Sequence, residues 1–462
     1  MGADQSSSAT SNEDVRAAAQ LFSHNEREQI QQIFYRISPF TKKVFKKYLE
    51  NCMSCSLGGN LFEYITEVQR TINKEARNVE EGAFLVSVCH LLKGNLDESK
   101  NLILFLANAK PELHTNLESL HNFTVELIRS YELCLKEGNS DRSWEDLSSD
   151  ERARDRVSRA VLSGVRCIHS NIVDENGIES WLSQNAFILR LLKLVGHTCF
   201  PVSYVGTAET ASVWPQQKTL LPLNNTQLPN TPKKSDLLDL PTMLYLNHHL
   251  PEECNTQWQL LYSTSFHGQS FATMLKGIEN KGPTLLVIKD TDGHIFGGFA
   301  SESWRTCPQF IGTSRSFLFT CHPEIQVYSS TGYNENFMYL NHGQETLPNG
   351  LGMGGQFGFF GLWLDYDFGT GHSRAQPKST TFGSPQLSAS ADFTIQTIEV
   401  WGVGPSPRPK PISDEEGKES ILDKDPEAKA MLSLLDKGPV SEGLREADPT
   451  SDIPEEHSLR PL

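Results

Sequence analysis

The sequence predicts a multidomain protein in which an N-terminal all-α helical bundle is followed by an α+β domain with a β-sandwich core. Apolar residues recur at three- and four-residue steps from Asn25 to about Phe200, as on the buried face of a helix. From Leu237 to Val403, glycines, aromatic residues and β-branched runs bounded by turn residues replace that pattern, which is typical of strands. The chain of 462 residues is long enough for two or three domains.

Composition narrows the class of protein. The 57 acidic residues outnumber the 41 Lys and Arg residues, for a net charge of −16. We therefore expect no nucleic-acid partner, because binding to a phosphate backbone requires clustered cations. Nine scattered cysteines favour reduced cytosolic thiols over a disulfide framework. The sequence has no apolar run long enough to span a membrane and no secretory leader pattern.

The first residues suggest lipid modification of a disordered segment, residues 1–20. The start MGADQS fits the pattern M-G-x-x-x-S/T, in which removal of Met1 exposes Gly2 to myristate. A plain disordered N-terminus is the alternative. One myristoyl chain binds membranes only marginally, so a second signal is usually needed. The candidates for this second signal are four lysines at i, i+4 spacing, Lys42, Lys43, Lys46 and Lys47. The alternative is that they form an ordinary solvated helix face.

A helical domain is predicted over residues 21–200. Its closest approach to a calcium loop is VDENGIES, where Gly177 as the sixth residue makes Ile172 the first and Ser183 the twelfth. Calcium loops need a carboxylate first and a glutamate twelfth, so no metal is expected and the segment is interpreted as a turn between helices. Cys52 and Cys55 form a lone C-x-x-C, which is too few ligands for structural zinc.

Residues 201–235 are rich in Thr, Pro, Asn and Gln and are interpreted as a linker. Beyond it, an apolar run from Thr284 to Ile288, a turn at Asp292 and Gly293, and a return from His294 to Ala300 predict a β-hairpin.

The glycine-rich segment after residue 349 matches the spacing of a dinucleotide-binding motif but lacks the structural context that the motif requires. The glycines match G-x-G-x-x-G at Gly350, Gly352 and Gly355, but a helix must follow that motif. Gln356 to Phe360 instead indicates a strand, so we interpret a glycine loop between strands and expect no cofactor. Neither a G-x-S-x-G elbow nor a G-K-S/T phosphate loop occurs in the sequence.

Within Leu237–Val403 the chain resembles the TLDc domain family. The motifs that carry the resemblance follow the family's order and spacing. They are Trp258 with Leu260, Leu261, Tyr262 and Ser263; His267, Gly268, Ser270 and Phe271; Phe296, Gly297, Gly298, Phe299 and Ala300 with Trp304; Gly350, Gly352, Gly354 and Gly355; Phe360, Gly361, Leu362 and Trp363; and Glu399, Val400, Trp401 and Gly402. The TLDc domain is assigned to residues 236–404.

The resemblance implies an EF-hand-like fold for the helical bundle and association with the lysosomal V-ATPase through its soluble sector. Over nearly its whole length the chain is similar to family members linked to the mTOR kinase complex. The implied location is the cytosol and the cytoplasmic face of lysosomes and other membranes. The resemblance also implies a partner-binding surface that is held or formed by four glycines, Gly297, Gly298, Gly354 and Gly355. The alternative is that these glycines serve only tight turns and close strand packing.

Residues 405–462 are predicted to be an acidic tail with a short helix near 426–437. Asp425 is a suitable cap, Pro426 suits the first helical position and Gly438 suits the end. The apolar side of this helix, formed by Met431, Leu434 and Leu435, is a second partner-binding candidate. The alternative is that it packs against the TLDc domain.

Together these inferences predict a non-enzymatic adaptor recruited to membranes by its N-terminal acyl chain. The alternative is an oxidative-stress-protective protein with direct peroxidase-like activity, to which the resemblance also points. A reactive thiol needs an electropositive, accessible setting. Cys307 and Cys321 have only Arg305 and His322 nearby in sequence to supply one.

Overall fold

A computed structural model describes residues 4–137, 144, 147–169, 171–202, 220–226, 234–375 and 377–405, with side chains from residue 13 onward. The helices of the N-terminal part are α1 (Asp4–Leu21), α2 (His24–Arg36), α3 (Lys42–Leu49), α4 (Cys55–Ile72), α5 (Glu81–Leu92), α6 (Leu96–Asn108), α7 (Leu117–Glu137), α8 (Glu151–Leu162), α9 (Glu175–Gln184) and α10 (Ala186–Cys199). This confirms the predicted helical bundle. Within the described residues, none of the helices combines the length and apolar character that a membrane span requires.

The prediction of disorder over residues 1–20 is wrong from Asp4 onward, because helix α1 begins there. Ala18 and the following Phe22 are buried, and Val15 packs beside them on the core of the bundle. These residues lie three and four positions apart and form an apolar stripe that the serine-rich start of the chain conceals. Tertiary packing therefore stabilises a helix that composition alone does not predict.

Two helix–loop–helix units meet through a short antiparallel pair, β1 (His114–Asn116) with β2 (Ile172–Asp174). This pairing between loops matches the EF-hand-like expectation. The interpretation of VDENGIES as a turn is wrong, because the side chain of Asp174 accepts a hydrogen bond from Gly177 N at the start of α9. Asn171, with φ of 74°, occupies the bend that glycine fills in calcium loops. That frame places Arg166 first and Gly177 twelfth, so the loop lacks both end carboxylates.

Between residues 220 and 405, the described residues form a twelve-stranded sheet and three helices. The helices are α11 (Leu240–His249), α12 (Thr264–His267) and α13 (Phe271–Ile278). The strands are β3 (Leu223–Asn224), β4 (Gln257–Ser263), β5 (Thr284–Asp290), β6 (Ile295–Ala300), β7 (Cys307–Ile311), β8 (Phe317–His322), β9 (Gln326–Ser329), β10 (Met338–Asn341), β11 (Gly350–Gln356), β12 (Phe359–Asp365), β13 (Thr370–His372) and β14 (Asp392–Val403). Strands β5 and β6 form the predicted hairpin.

The sheet folds into two facing halves because the long strand β14 is shared between them. Its beginning pairs with β13, and its later part pairs with β5 and β4. The outer half runs β7-β10-β11-β12-β13, and the inner half contains β4, β14, β5, β6, β8 and β9. Gly298 of the inner half lies against Met353 of the outer half. This arrangement fits the predicted sandwich core.

The inner half is covered on both faces, which explains the uninterrupted apolar run in β5. Leu285 and Val287 join the core shared with the helical bundle, whereas Leu286 and Ile288 join the core between the two halves. Alternate side chains of a strand point to opposite faces. The molecule is therefore layered as bundle, inner half and outer half, and the remaining face of the outer half is turned away from the bundle.

The bundle and the sheet meet at a buried aromatic cluster. Trp144 packs against Trp258 and Trp401, with ring centroids 6.3 and 5.6 Å apart. Arg156 of α8 forms an ion pair with Asp239, the cap of α11, at 2.5 Å. Because one apolar core crosses this junction, we expect the two regions to unfold together.

The linker prediction for residues 201–235 is wrong at residues 220–226. Leu220 and Leu221 are buried there, Leu220 N donates to the Tyr131 hydroxyl at 2.8 Å, and β3 pairs with β4. The apolar pair Leu220 and Leu221, set within a polar stretch, is the sequence signal for this packing.

Candidate functional site

The outer half of the sheet carries a layer of aromatic rings on the face that points away from the bundle. Tyr339, Phe360 and Trp363 form a separate buried cluster, and Phe360 stacks on Trp363 with centroids 4.5 Å apart. Gly352 of β11 makes room for them, since a Cβ atom there would lie 2.7 Å from the Phe360 ring and 2.9 Å from Trp363. The interpretation of a glycine loop between strands is therefore wrong, because Gly350–Gln356 is itself a strand.

Phe310 and Phe357 extend this layer to the surface, since their rings contact Tyr339 and Phe360. Phe359 is exposed at the adjoining β11–β12 turn, and we call the three residues together the aromatic patch. Phe357 and Phe359 flank the β11–β12 turn and are 43% and 61% exposed. Phe357 stacks on Phe310 with centroids 5.4 Å apart. Exposed aromatic side chains on a supported surface are favoured anchors in protein interfaces, so this patch is the best candidate for a partner-binding site.

The patch is held by its surroundings rather than by a loose loop. Gly358 has φ of 77° at the turn, a conformation that favours glycine. The Arg374 guanidinium donates to the Gly358 carbonyl at 3.4 Å and forms an ion pair with Asp392 at 2.8 Å. This patch was not predicted from the sequence. The available signal is Phe357-Gly358-Phe359-Phe360, which contains more rings than an alternating strand can bury on one face.

The four predicted glycines are buried, so they do not themselves form a contact surface. That they hold one stays a prediction. A Cβ atom at Gly297 would lie 1.9 Å from the Leu286 carbonyl oxygen, and at Gly298 it would lie 2.5 Å from Met353 Sδ. Gly354 and Gly355 have φ of 71° and 84°. Close strand packing at the first pair and backbone conformation at the second explain why glycine occupies these positions.

The four predicted lysines do not form one open face. Lys42 forms an ion pair with Glu63 of α4 at 2.6 Å. Lys46 turns toward α4, with Nζ 3.5 Å from Cys55 Sγ. Lys42, Lys43 and Lys47 are all exposed, and of these three only Lys42 pairs with a carboxylate among the described residues. The packing of α3 on α4 therefore leaves half of the set available to an anionic surface.

The two thiols of the peroxidase alternative lie in different settings. Cys321 is buried, and burial strongly raises the pKa of its thiol. Cys307 is half-buried, and its Sγ donates to the Gln309 carbonyl at 3.3 Å. A thiol with a raised pKa is a poor nucleophile at neutral pH, so Cys321 is disfavoured for this chemistry. Cys52 is also buried, and Cys55 is exposed.

The histidines of this region have separate environments. His267 Nδ1 accepts a hydrogen bond from Ser263 N, His342 stacks on Tyr366, and His372 stacks on Trp363. Among the described residues, no cluster of three or more His, Cys, Asp or Glu side chains could hold a metal ion. Asp290 accepts hydrogen bonds from His294 N and Ser388 Oγ and so stabilises the hairpin turn.

Glu399 of β14 joins the sheet to the segment that enters the domain. Its carboxylate accepts hydrogen bonds from Ser235 Oγ at 2.5 Å, Asp236 N at 2.7 Å and Trp401 Nε1 at 3.0 Å. Burial raises the pKa of Glu399, and these three donors oppose that change. The Glu399 and Trp401 motif thus fixes the start of the domain and the junction with the bundle.

These features define a TLDc-domain protein: a family profile described as "TLDc domain" matches residues 231–404. "MTOR-associated protein MEAK7" of Gallus gallus is 37% identical over 420 residues, which cover 88% of this chain and 87% of the relative. The Homo sapiens protein of the same name is 35% identical over 456 residues, 93% of this chain and 97% of the relative. The chain belongs to the family of MTOR-associated protein MEAK7. "Oxidation resistance protein 1" of Xenopus laevis is 38% identical over 177 residues, 37% of this chain and 19% of the relative.

Two groups of predicted site residues lie outside the described residues. Gly2 belongs to the first group, and the tail-helix residues form the second: Met431, Leu434 and Leu435. Lipidation and a tail-mediated contact stay predictions.

Proposed function

We propose that this chain is a non-enzymatic adaptor that supports mTOR signalling at the lysosome, and thereby growth and proliferation, and that it binds the soluble sector of the V-ATPase through the aromatic patch. The name of the MEAK7 relatives, MTOR-associated protein, supports an association with mTOR. The exposure of Phe357 and Phe359 on a supported sheet carries the proposal of a protein-binding face.

The layering of the domain favours this surface over others. The helical bundle covers one face of the sandwich, and among the described residues the other face carries the exposed Phe357. A cluster of exposed rings over a rigid layer loses little side-chain freedom on binding, which favours affinity. The proposal therefore has three parts: binding to the V-ATPase, association with the mTOR complex and location at the lysosomal membrane.

The aromatic patch can be tested with purified proteins. Replacing Phe357 and Phe359 together by Ala is expected to weaken binding to the V-ATPase soluble sector at least about tenfold. An aromatic anchor is worth about 2 kcal/mol, and about 1.4 kcal/mol is a factor of ten. Phe266→Ala is the matched control, because Phe266 of α12 is 42% exposed outside the patch. Unchanged affinity of the double variant, measured by interferometry, would remove the patch from the proposal.

Membrane recruitment is expected to depend on Gly2. Gly2→Ala should move the protein from the membrane fraction to the cytosol, because the myristoylation pattern requires that glycine. Intact-mass spectrometry of the native protein should show the added acyl chain, and an unmodified mass would contradict this part of the proposal.

Lys43→Gln with Lys47→Gln should weaken binding to anionic vesicles if these exposed lysines supply the second signal, whereas Lys42→Gln should matter less because Lys42 is paired.

The antioxidant alternative draws support from the relative named Oxidation resistance protein 1. The adaptor proposal predicts that Cys307→Ser and Cys321→Ser retain pump binding. Peroxide consumption by the purified protein should stay at the level of a heat-denatured control. Catalytic peroxide turnover that is lost in Cys307→Ser would favour the enzyme instead.

A further inference from the structure

A groove in the helical bundle, distant in the fold from the aromatic patch, carries a second binding proposal. We call it the α1 groove. It has a volume of about 660 Å³ and lies among α1, α4, α5, α6 and the loop before β1. Volumes of about 300 to 1,000 Å³ are usual for ligand sites. Its lining includes these apolar residues: Ala17, Ala18, Val68, Ile72, Val86 and Phe105.

The walls of the groove expose apolar side chains to solvent. Leu113, in the loop before β1, is 72% exposed, and Leu21, at the end of α1, is 52% exposed. Phe105 is buried in the floor between them. A contiguous apolar recess with exposed leucines on its edges is a common property of interaction sites.

The charge of the lining identifies the kind of occupant. Five carboxylates line the groove: Asp14, Glu67, Glu98, Glu112 and Glu175. No Lys or Arg is found among the groove-lining residues that the structure describes. Three of the carboxylates have partners, since Glu67 pairs with Arg70, Glu112 with Lys110, and Glu98 caps α6.

The side chains of Asp14 and Glu175 have no ion-pair or hydrogen-bond partner within the described part of the chain, although Asp14 interacts electrostatically with His90. They are the carboxylates with most to gain from a bound cation. An anionic lipid headgroup would be repelled here, and an acyl chain would use the floor without the charges. The titratable base in the lining is His90, whose Nδ1 lies 2.7 Å from the Tyr64 hydroxyl. Burial lowers the pKa of His90, so neutral His90 does not offset the acidic charge.

We propose that the α1 groove binds a basic amphipathic helix of a partner protein. Leucine-like side chains at i, i+3, i+4 and i+7 would enter the floor, as in helix-in-groove recognition. Lysine or arginine residues beside them would meet Asp14 and Glu175. Charge complementarity of this kind sets the orientation and the partner choice. The proposal is independent of pump binding by the patch.

The test uses the full-length chain and two fluorescent 18-residue helical peptides. One peptide has Leu at the i, i+3, i+4, i+7 positions and Lys elsewhere, and the other has Glu in place of Lys. Fluorescence anisotropy should show saturable binding of the Lys peptide and at least tenfold weaker binding of the Glu peptide. Equal binding of both peptides would overturn the proposal.

Groove variants separate a specific site from general attraction to an acidic protein. Leu113→Ala should weaken binding several-fold, and Ala17→Trp, which fills the groove, should abolish it. Asp14→Asn with Glu175→Gln should weaken it and reduce its salt dependence. The matched controls lie outside the lining and should leave affinity unchanged: Ile168→Ala, Gln20→Trp, and Glu118→Gln with Glu252→Gln.

Equal losses in the groove variants and their controls would assign the binding to net charge and contradict the proposal. Thermal melts confirm that each variant is folded, and Leu113→Ala keeps the test valid if Ala17→Trp is not. A fatty-acid probe that saturates the groove while the Lys peptide does not bind would assign the groove to an acyl chain, which also contradicts it.

Discussion

Glu399→Ala is expected to lower the free energy of unfolding by about 3 kcal/mol or more. The change removes the acceptor for Ser235 Oγ, Asp236 N and Trp401 Nε1. Each buried donor left without a partner costs about 1–3 kcal/mol. Urea denaturation followed by tryptophan fluorescence measures the loss directly, because Trp401 lies in the same network.

Glu399→Gln is the control that separates the charge of Glu399 from its hydrogen bonds. It keeps one acceptor oxygen and should be destabilised less than Glu399→Ala. Because burial raises the pKa of Glu399, its protonated form stabilises the fold. That contribution is full below the unfolded-state pKa and is lost as the pH rises through the folded-state pKa. The stability advantage of the wild type over Glu399→Gln should therefore shrink as the pH rises above the ordinary glutamate pKa of about 4.3 and through the raised pKa of folded Glu399. A growing advantage over this range would contradict the assignment.

Gly297→Ala is expected to prevent stable folding of the TLDc domain. The new Cβ atom would lie 1.9 Å from the Leu286 carbonyl oxygen and 2.8 Å from the Phe319 ring. The carbonyl belongs to the β5–β6 pairing, so relief of the clash requires separating the two strands. Losses above about 4 kcal/mol are exceptional and arise from such strain or overpacking. We expect aggregation on expression, or a loss of at least about 3 kcal/mol in urea.

Two other Gly→Ala variants should lose less stability than Gly297→Ala and serve as comparisons. Gly298→Ala should cost less, because its new Cβ atom meets the flexible Met353 side chain rather than backbone. Gly164→Ala should be close to neutral, since no atom lies within 4 Å of the added Cβ. Equal stability of Gly297→Ala and Gly164→Ala would show that the strands are less closely packed than described.

The sequence predicted the layers of the fold well because their signals are local. The hairpin at β5 and β6 follows from a β-branched run and an Asp-Gly turn, and the helical bundle follows from apolar periodicity. Disorder at the N-terminus and a free linker were wrong because Ala18, Phe22 and Leu220 are stabilised by distant partners. Composition within a short window carries no information about such contacts.

The candidate site was predicted less well, for a similar reason. The glycine motif predicted a surface role for glycines, but Gly352 contributes by leaving room for the Phe360 and Trp363 rings. The proposed partner-binding residues are instead the exposed rings of Phe357 and Phe359. Which rings are buried depends on the β11–β12 turn, and its position becomes known only when the strands are paired.

Affinity purification of the full-length chain from lysosomal extracts tests the adaptor account most directly. The account predicts recovery of V-ATPase soluble-sector subunits together with the mTOR complex, and loss of the pump subunits with Phe357→Ala and Phe359→Ala but not with Phe266→Ala. Recovery of neither assembly by the wild-type protein would contradict the account.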